Sequence, residues 1–205
     1  MSIRARIDSE KQKLRRLILE ATVDLLAQEG YEQVSIRKVA SLIGYSATTI
    51  YLYFKNKADL IQNVVDDGYA RFMLRLAAAS RGGALSPLQQ LSEGMRIYIG
   101  FALENPNWYR VTFSSRLGRS NNDAQFLTES ATGEKGFAVL AMNLEQAMAS
   151  AEIPRRSLYP AVQTIWATLH GVAMLLINSP EAGKEDQQRV IDGYIELIVN
   201  GLRVR

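Results

Sequence analysis

Cysteine is absent from this chain of 205 residues, and histidine occurs once. The first absence excludes a disulfide scaffold, a cysteine-based zinc finger, a thiol nucleophile and an iron–sulfur site. The second leaves no multi-histidine metal centre, and no metal or cofactor is implied. Charge of one sign is also scarce, since 24 Lys and Arg stand against 21 Asp and Glu. Period-two runs of β-branched residues are missing, which argues against strands. From Ser157 to Pro180 no charged residue occurs, but Pro160, Gln163, Thr164, Thr168, His170 and Asn178 interrupt the apolar run. A membrane span needs about 20 predominantly apolar residues. The expectation here is a helix packed on most of its circumference. With neither a span nor an apolar signal segment, the expected location is the cytoplasm.

What charge there is sits unevenly. Residues 1–16 hold Arg4, Arg6, Lys11, Lys13, Arg15 and Arg16 against only Asp8 and Glu10. The rest of the chain carries 18 basic and 19 acidic side chains. The basic excess is therefore an N-terminal arm, open to two readings. It is either a solvated, frayed terminus or a contact for phosphates.

Helix signals recur along the chain, and they predict an all-α fold of about nine helices. Ser9-Glu10-Lys11-Gln12 has the form of a capping box. Leu14, Leu17, Ile18, Ala21, Leu25 and Leu26 follow it as a 3–4 spaced stripe, and Gly30 is a C′ residue. Ser35 caps a short second helix that turns Ile36, Val39 and Ala40 inward and ends at Gly44. Ser46 caps a third, running to about Tyr53. Asn56-Lys57-Ala58-Asp59 opens a long fourth helix with Leu60, Ile61, Val64, Val65, Phe72, Met73 and Leu76 along one side. Arg81-Gly82-Gly83 interrupts it. Ser86-Pro87-Leu88-Gln89 restarts the chain, with Ser at N-cap, Pro at N1 and Gln at N3. That helix runs to about Leu103, and a short one follows from Asn105-Pro106 through Phe113. Residues 115–124 read as a loop, and three more helices fall at about 133–151, 156–178 and 183–202. The expected division is 1–55 for the arm and the first three helices, and 56–205 for a larger helical body.

Residues 35–60 hold two short helices flanking a glycine turn, the form of a DNA-binding helix-turn-helix. Val39, Ala40, Ile43 and Ile50 have the spacing to lock the pair. Ala47, Thr48, Thr49, Tyr51 and Tyr53 are then left outward, where small and hydroxyl-bearing side chains reach base edges and phosphates. An ordinary αα-hairpin capped by tyrosines fits the helix pattern equally well.

Residue identity separates the two. Ala-Gln-Glu-Gly-Tyr at 27–31, Ser-Ile-Arg-Lys-Val-Ala at 35–40, Ile-Gly-Tyr-Ser at 43–46 and Thr-Thr-Ile-Tyr-Leu-Tyr-Phe-Lys-Asn-Lys-Ala-Asp-Leu at 48–60 closely resemble the DNA-binding domain of the TetR family of bacterial transcriptional regulators. The resemblance covers roughly residues 9–65 and implies a role for each matched position. Ser35 and Arg37 would meet phosphates or a base edge, while Ala47, Thr48 and Thr49 would enter the major groove. Tyr51, Tyr53 and Lys57 would hold the backbone beside it. Ala47 departs from a long polar reader, which shifts weight to Arg37, methyl contacts and DNA shape.

Further on, Trp166-Ala-Thr-Leu-His170-Gly171 looks like a Trp-x-x-x-His-Gly signature of one subgroup of that family, and Glu104–Phe113 is similar to the same subgroup. Trp166 and His170 stand four apart and share a helix face. Either they line a ligand cavity with Met95, Tyr98, Tyr109 and Phe113, or they pack a core. The resemblance implies a sequence-specific regulator, a dimeric repressor released from a palindromic operator by a small apolar or aromatic effector. Its dimer interface would be the helices near 156–178 and 183–202, with reading heads ~34–36 Å apart. The alternative is a constitutive DNA-binding protein whose body binds a protein partner. Catalysis has no candidate set, because no nucleophile, base and orienting group can be assembled.

Overall fold

A computed structural model describes residues 3–79, 85–114, 133–179 and 183–204. Among them lie nine α-helices: α1 (Ile3–Glu29), α2 (Ile36–Leu42), α3 (Ala47–Tyr51), α4 (Lys57–Ala79), α5 (Pro87–Glu104), α6 (Pro106–Tyr109), α7 (Gly133–Ala149), α8 (Leu158–Ile177) and α9 (Lys184–Arg203). One π-helical turn, Arg110–Ser114, continues α6. No strand occurs among the described residues. The expected break at 81–83, the loop at 115–124 and Pro180 lie outside them.

The described chain packs as two compact units. The first runs up to Gly68 and takes in a return segment from Asn107; the second begins at Tyr69, runs to Pro106 and includes the later helices.

In the first unit, α1 buries Ile18, Leu19, Thr22, Val23, Leu25 and Leu26. It ends as its glycine requires. Gly30 takes φ +81 and donates its N–H to Leu26 O at 3.1 Å, a left-handed cap that costs a side-chain-bearing residue more. The beginning of α1 differs from the expectation. The helix does not start at Ser9 but at Ile3, and it passes through Ser9 without a break. No Pro or Gly stands between these positions, and an interior serine costs only a few tenths of a kcal/mol against alanine, roughly. The basic arm is therefore helical.

The return segment buries Trp108, Tyr109, Val111 and Thr112 and packs on α1. Asn107 Nδ2 donates to Asp24 Oδ1 at 2.9 Å. Thr112 lies directly over Gly68 of α4, so that a Cβ there would overlap its Oγ1. This hydroxyl is buried and has no hydrogen-bond partner among the described residues.

In the second unit α5 is central, packing against α7, α8 and α9. It buries Leu88, Leu91, Met95, Tyr98, Ile99, Phe101 and Ala102. Its start is the expected capping box, with Ser86 and Gln89 bonding each other's backbone. The Ser86 hydroxyl also bonds Glu152, and this bond holds that carboxyl below its ordinary pKa. Arg96 pairs with Asp192 of α9 and Arg75 with Glu104 of α5.

α8 is long and apolar enough to cross a membrane, with a mean hydropathy of 1.4 over its most apolar window. Its burial is one-sided. Val162, Ile165, Leu169, Val172, Ala173 and Leu176 are buried, whereas Tyr159 and Leu175 are 69% and 63% exposed. The expected packing on most of the circumference is therefore corrected to one face. α5, α7 and α9 cover the residues spaced 3–4 apart, and nothing in the described chain covers the other side.

Candidate nucleic-acid interface

The helix-turn-helix is built from local hydrogen bonds around a small apolar lock. Ser35 caps α2 by accepting from Lys38 N at 3.2 Å. Val39, Ala40 and Ile50 are at most 2% exposed and fasten α2 to α3. Between them Gly44 takes φ +72, and Tyr45 N donates to Ala40 O at 2.9 Å. That positive φ is why the turn calls for glycine. Ser46 then caps α3, its Oγ accepting from Thr49 N at 3.1 Å and lying 2.9 Å from Thr49 Oγ1.

This second contact sorts the candidate recognition residues. Thr49 is half-buried, with its hydroxyl already engaged by the cap. Thr48 and Tyr51 are exposed, and Ala47 is half-exposed beside them. Arg37 and Ser35 are exposed at the start of α2. Tyr53 is half-buried.

Lys57, the first residue of α4, has its ammonium 4.1 Å from the ring centroid of Tyr31. A cation held over an aromatic face retains its charge and gives up freedom of position. Asn56 caps α4 by accepting from Asp59 N at 2.9 Å.

A polar chain that the sequence pattern did not reveal ties this region to α1. Asp59 Oδ2 accepts from Lys55 N at 2.7 Å, and Asp59 Oδ1 accepts from Asn63 Nδ2 at 3.2 Å. Asn63 Oδ1 in turn accepts from Arg15 at 2.8 Å. The Arg15 guanidinium sits 5.7 Å from the Phe54 ring centroid and 3.9 Å from Asp67. One of the six basic residues of the arm is thus turned inward, fixing the segment after α3. The Asp59–Asn63 spacing of four was the available signal, but its partner on α1 is remote in sequence.

The six candidate effector residues fall into separate groups. Trp166 and His170 of α8 stack, with ring centroids 5.2 Å apart and planes 17° apart. Phe137 of α7, absent from the sequence candidates, lies 5.6 Å from Trp166. Burial pushes the His170 pKa down, since a charged imidazolium is poorly solvated there. Met95 and Tyr98 are buried on α5, and Tyr98 meets Phe72 edge-on at 5.6 Å. Tyr109 and Phe113 belong to the first unit, where their rings lie 5.2 Å apart and Tyr109 is buried. The second unit also holds a cavity of about 40 Å³ among Leu76, Glu93, Gly94, Ile97, Val139 and Asn143. None of the six candidates lines it.

Residues 18–64 match the family described as "Bacterial regulatory proteins, tetR family". Residues 91–198, more than half of the chain, match "Tetracyclin repressor-like, C-terminal domain". The fatty acid metabolism regulator protein of Bacillus subtilis is 37% identical over 59 residues, which cover 29% of this chain and 30% of that one. The match thus spans about a third of that curated relative's length. Among solved structures, the transcriptional regulator FadR from Bacillus subtilis, in complex with stearoyl-CoA, is 26% identical with a TM-score of 0.76; 91% of this chain and 98% of that one are covered. The fatty acid degradation regulator FadR from Bacillus halodurans is 22% identical with a TM-score of 0.77, covering 93% and 97%.

Proposed function

The chain belongs to the tetR family of bacterial regulatory proteins, and we propose that it is a cytoplasmic dimeric repressor released from a palindromic operator by an apolar effector. The observation that carries this is the capped helix α3, which buries Ile50 and turns Ala47, Thr48 and Tyr51 outward. Small and hydroxyl-bearing side chains there suit thymine methyls and phosphates, and Arg37 supplies a base-edge donor. Ser35, Tyr53 and Lys57 hold the backbone beside them, and Thr49 contributes mainly by fixing the helix start.

The dimer forms through the uncovered faces of α8 and α9. Tyr159 and Leu175 on α8, and Val190, Tyr194 and Leu197 on α9, are exposed apolar or aromatic residues. A Cβ at Gly171 would meet nothing within 4 Å, leaving room for a helix of a second copy. A twofold pair of this kind makes an isologous four-helix contact.

The effector is a long-chain acyl-CoA or a molecule of similar apolar length. Support comes from the 26%-identical regulator in complex with stearoyl-CoA. Trp166-x-x-x-His170-Gly171 is the subgroup mark. Trp166, His170, Met95 and Tyr98 are the second unit's candidates for effector contact, and Tyr109 and Phe113 the first unit's. Release requires the effector to prefer the state that does not bind DNA, by no more than its differential affinity allows.

Selection of bound sites from random duplex DNA tests the DNA reading, with a palindrome expected. Anisotropy of the selected duplex during titration with stearoyl-CoA tests the effector. Loss of binding supports it, and unchanged operator affinity at saturation excludes this effector. The close packing of Met95 and Tyr98, at 1% and 6% exposure, favours the second reading in that event: a constitutive DNA-binding protein with a protein partner.

A further inference from the structure

We propose that the helical arm and the helix-turn-helix together form a seat for the sugar–phosphate backbone of DNA just outside the half-site read by α3. This rests on the DNA-binding reading above and extends the footprint beyond the recognition residues.

A groove of about 430 Å³ lies in the first unit, between the N-terminal half of α1 and the segment around α3. Arg6, Lys11 and Lys13 line it on the arm side, and Tyr45 and Tyr53 on the other. Its charge is not self-cancelling. Glu10 pairs with Lys13 at 3.0 Å, while neither Arg6 nor Lys11 has an ion-pair partner among the described residues. Two cations are therefore left at the groove, and both are exposed.

The remaining walls indicate which polyanion fits. Ile7, Leu14 and Leu17 also line the groove, with Ile7 50% and Leu17 41% exposed. A duplex backbone alternates phosphates with the apolar faces of deoxyribose. The basic residues meet the first, the aliphatic ones the second, and the tyrosine hydroxyls donate to phosphate oxygens. The groove is also continuous with the recognition surface, because Tyr53 lies only two residues beyond α3.

The arm's helicity is what makes the seat definite. Ile3–Asp8 adds about 9 Å of helix ahead of Ser9, at a rise of 1.5 Å per residue. In a frayed arm, Arg6 would be averaged over many positions. In α1 it is held one turn from Glu10 and two turns from Lys13, on the face that borders Tyr45 and Tyr53.

The test uses the full chain and a duplex selected from the random pool, extended by flanking sequence on both sides. Hydroxyl-radical footprinting should show protected sugars outside each half-site. The double variant Arg6→Ala/Lys11→Ala should lose that outer protection and keep the half-site protection. The slope of log affinity against log salt should shrink by about two, so that about tenfold less affinity is lost between 50 and 200 mM salt. Alanine favours helix, and both side chains are exposed, so thermal unfolding should not move. The swap Arg6→Lys/Lys11→Arg should restore slope and footprint. Arg16→Ala, the loss of one charge at an exposed position off the groove, should leave both as in the wild type. Outer protection that survives the double variant overturns the proposal, as does a slope change of about one in Arg16→Ala. A wild type that protects only its half-sites overturns it while leaving DNA binding intact. A wild type that binds no duplex overturns the DNA-binding reading as well.

Discussion

In the first unit, α2, α3 and α4 each begin on a side-chain oxygen, from Ser35, Ser46 and Asn56 in turn. In the second, α5 begins in the same way on Ser86, but α8 and α9 begin without any side-chain cap bond. For α2 and α3 the reason is length, although α4 and α5, with 23 and 18 residues, are capped as well. α2 has 7 residues and α3 has 5, whereas α8 and α9 have 20 each. A helix of one or two turns cannot recover the cost of nucleation from its own backbone bonds. It must be pinned at its start and anchored by a buried residue such as Ile50. Twenty residues with an apolar stripe are held by burial along their length. α2 and α3 are thus specified point by point, and α8 and α9 by faces.

That contrast can be broken, and the largest effect is expected where a face has no cover. Leu197, 69% exposed on α9, would be a core position in the proposed dimer. Leu197→Glu should yield monomers in sedimentation and weaken operator binding by about 10²–10⁴-fold, the loss expected when two linked heads become one. A dimer of unchanged affinity would place the interface elsewhere.

Next comes the anchor of the point-specified pair. Ile50→Ala leaves a cavity at a fully buried site and should cost about 2–5 kcal/mol, read by chemical denaturation. A much smaller cost would mean that the caps alone hold α3.

The caps themselves provide the sharpest comparison. Ser46→Ala should cost about 1 kcal/mol. Ser157→Ala, at the start of α8, should change stability by less than about 0.5 kcal/mol, because no cap bond is lost. Equal costs would remove the distinction between the short capped helices and the long uncapped ones.

Lys57→Ala should weaken binding to all sequences alike and reduce the salt slope by about one. An unchanged slope would assign Lys57 to Tyr31 alone.

The smallest effect concerns His170. Burial lowers its pKa in the folded chain, so below about pH 6.5 the unfolded state binds the extra proton more readily. Stability should therefore fall as pH drops below that value, and His170→Gln should flatten this part of the melting-temperature profile. A profile that is the same in both would mean that His170 is solvated in the folded protein.

These contrasts also explain what the sequence made legible. Ser35, Gly44, Ser46 and Ser86 were readable because a cap or a left-handed turn is settled within four or five residues. Ser9 carried the same local signature and was overridden, since nothing between Ile3 and Ser9 stops a helix. The Arg15–Asn63–Asp59 chain and the Phe137–Trp166 contact were not readable, because each joins helices remote in sequence. For α8, composition gave the helix but not its covered side. A charge-free stretch of that length has apolar residues on every face, so its pattern does not say which face meets α5.

The overridden signature at Ser9 has a consequence of its own. α1 carries two possible beginnings, one at Ile3 and a second, unused one six residues later with Ser and Gln already in capping positions. A protease cut or a genetic deletion ahead of Ser9 would leave a ready-made helix start in place of a ragged end. The buried part of α1, from Ile18 onward, would not register the loss. The length of the arm is therefore a separable module: it can be trimmed, extended or recharged without renegotiating the fold that carries it.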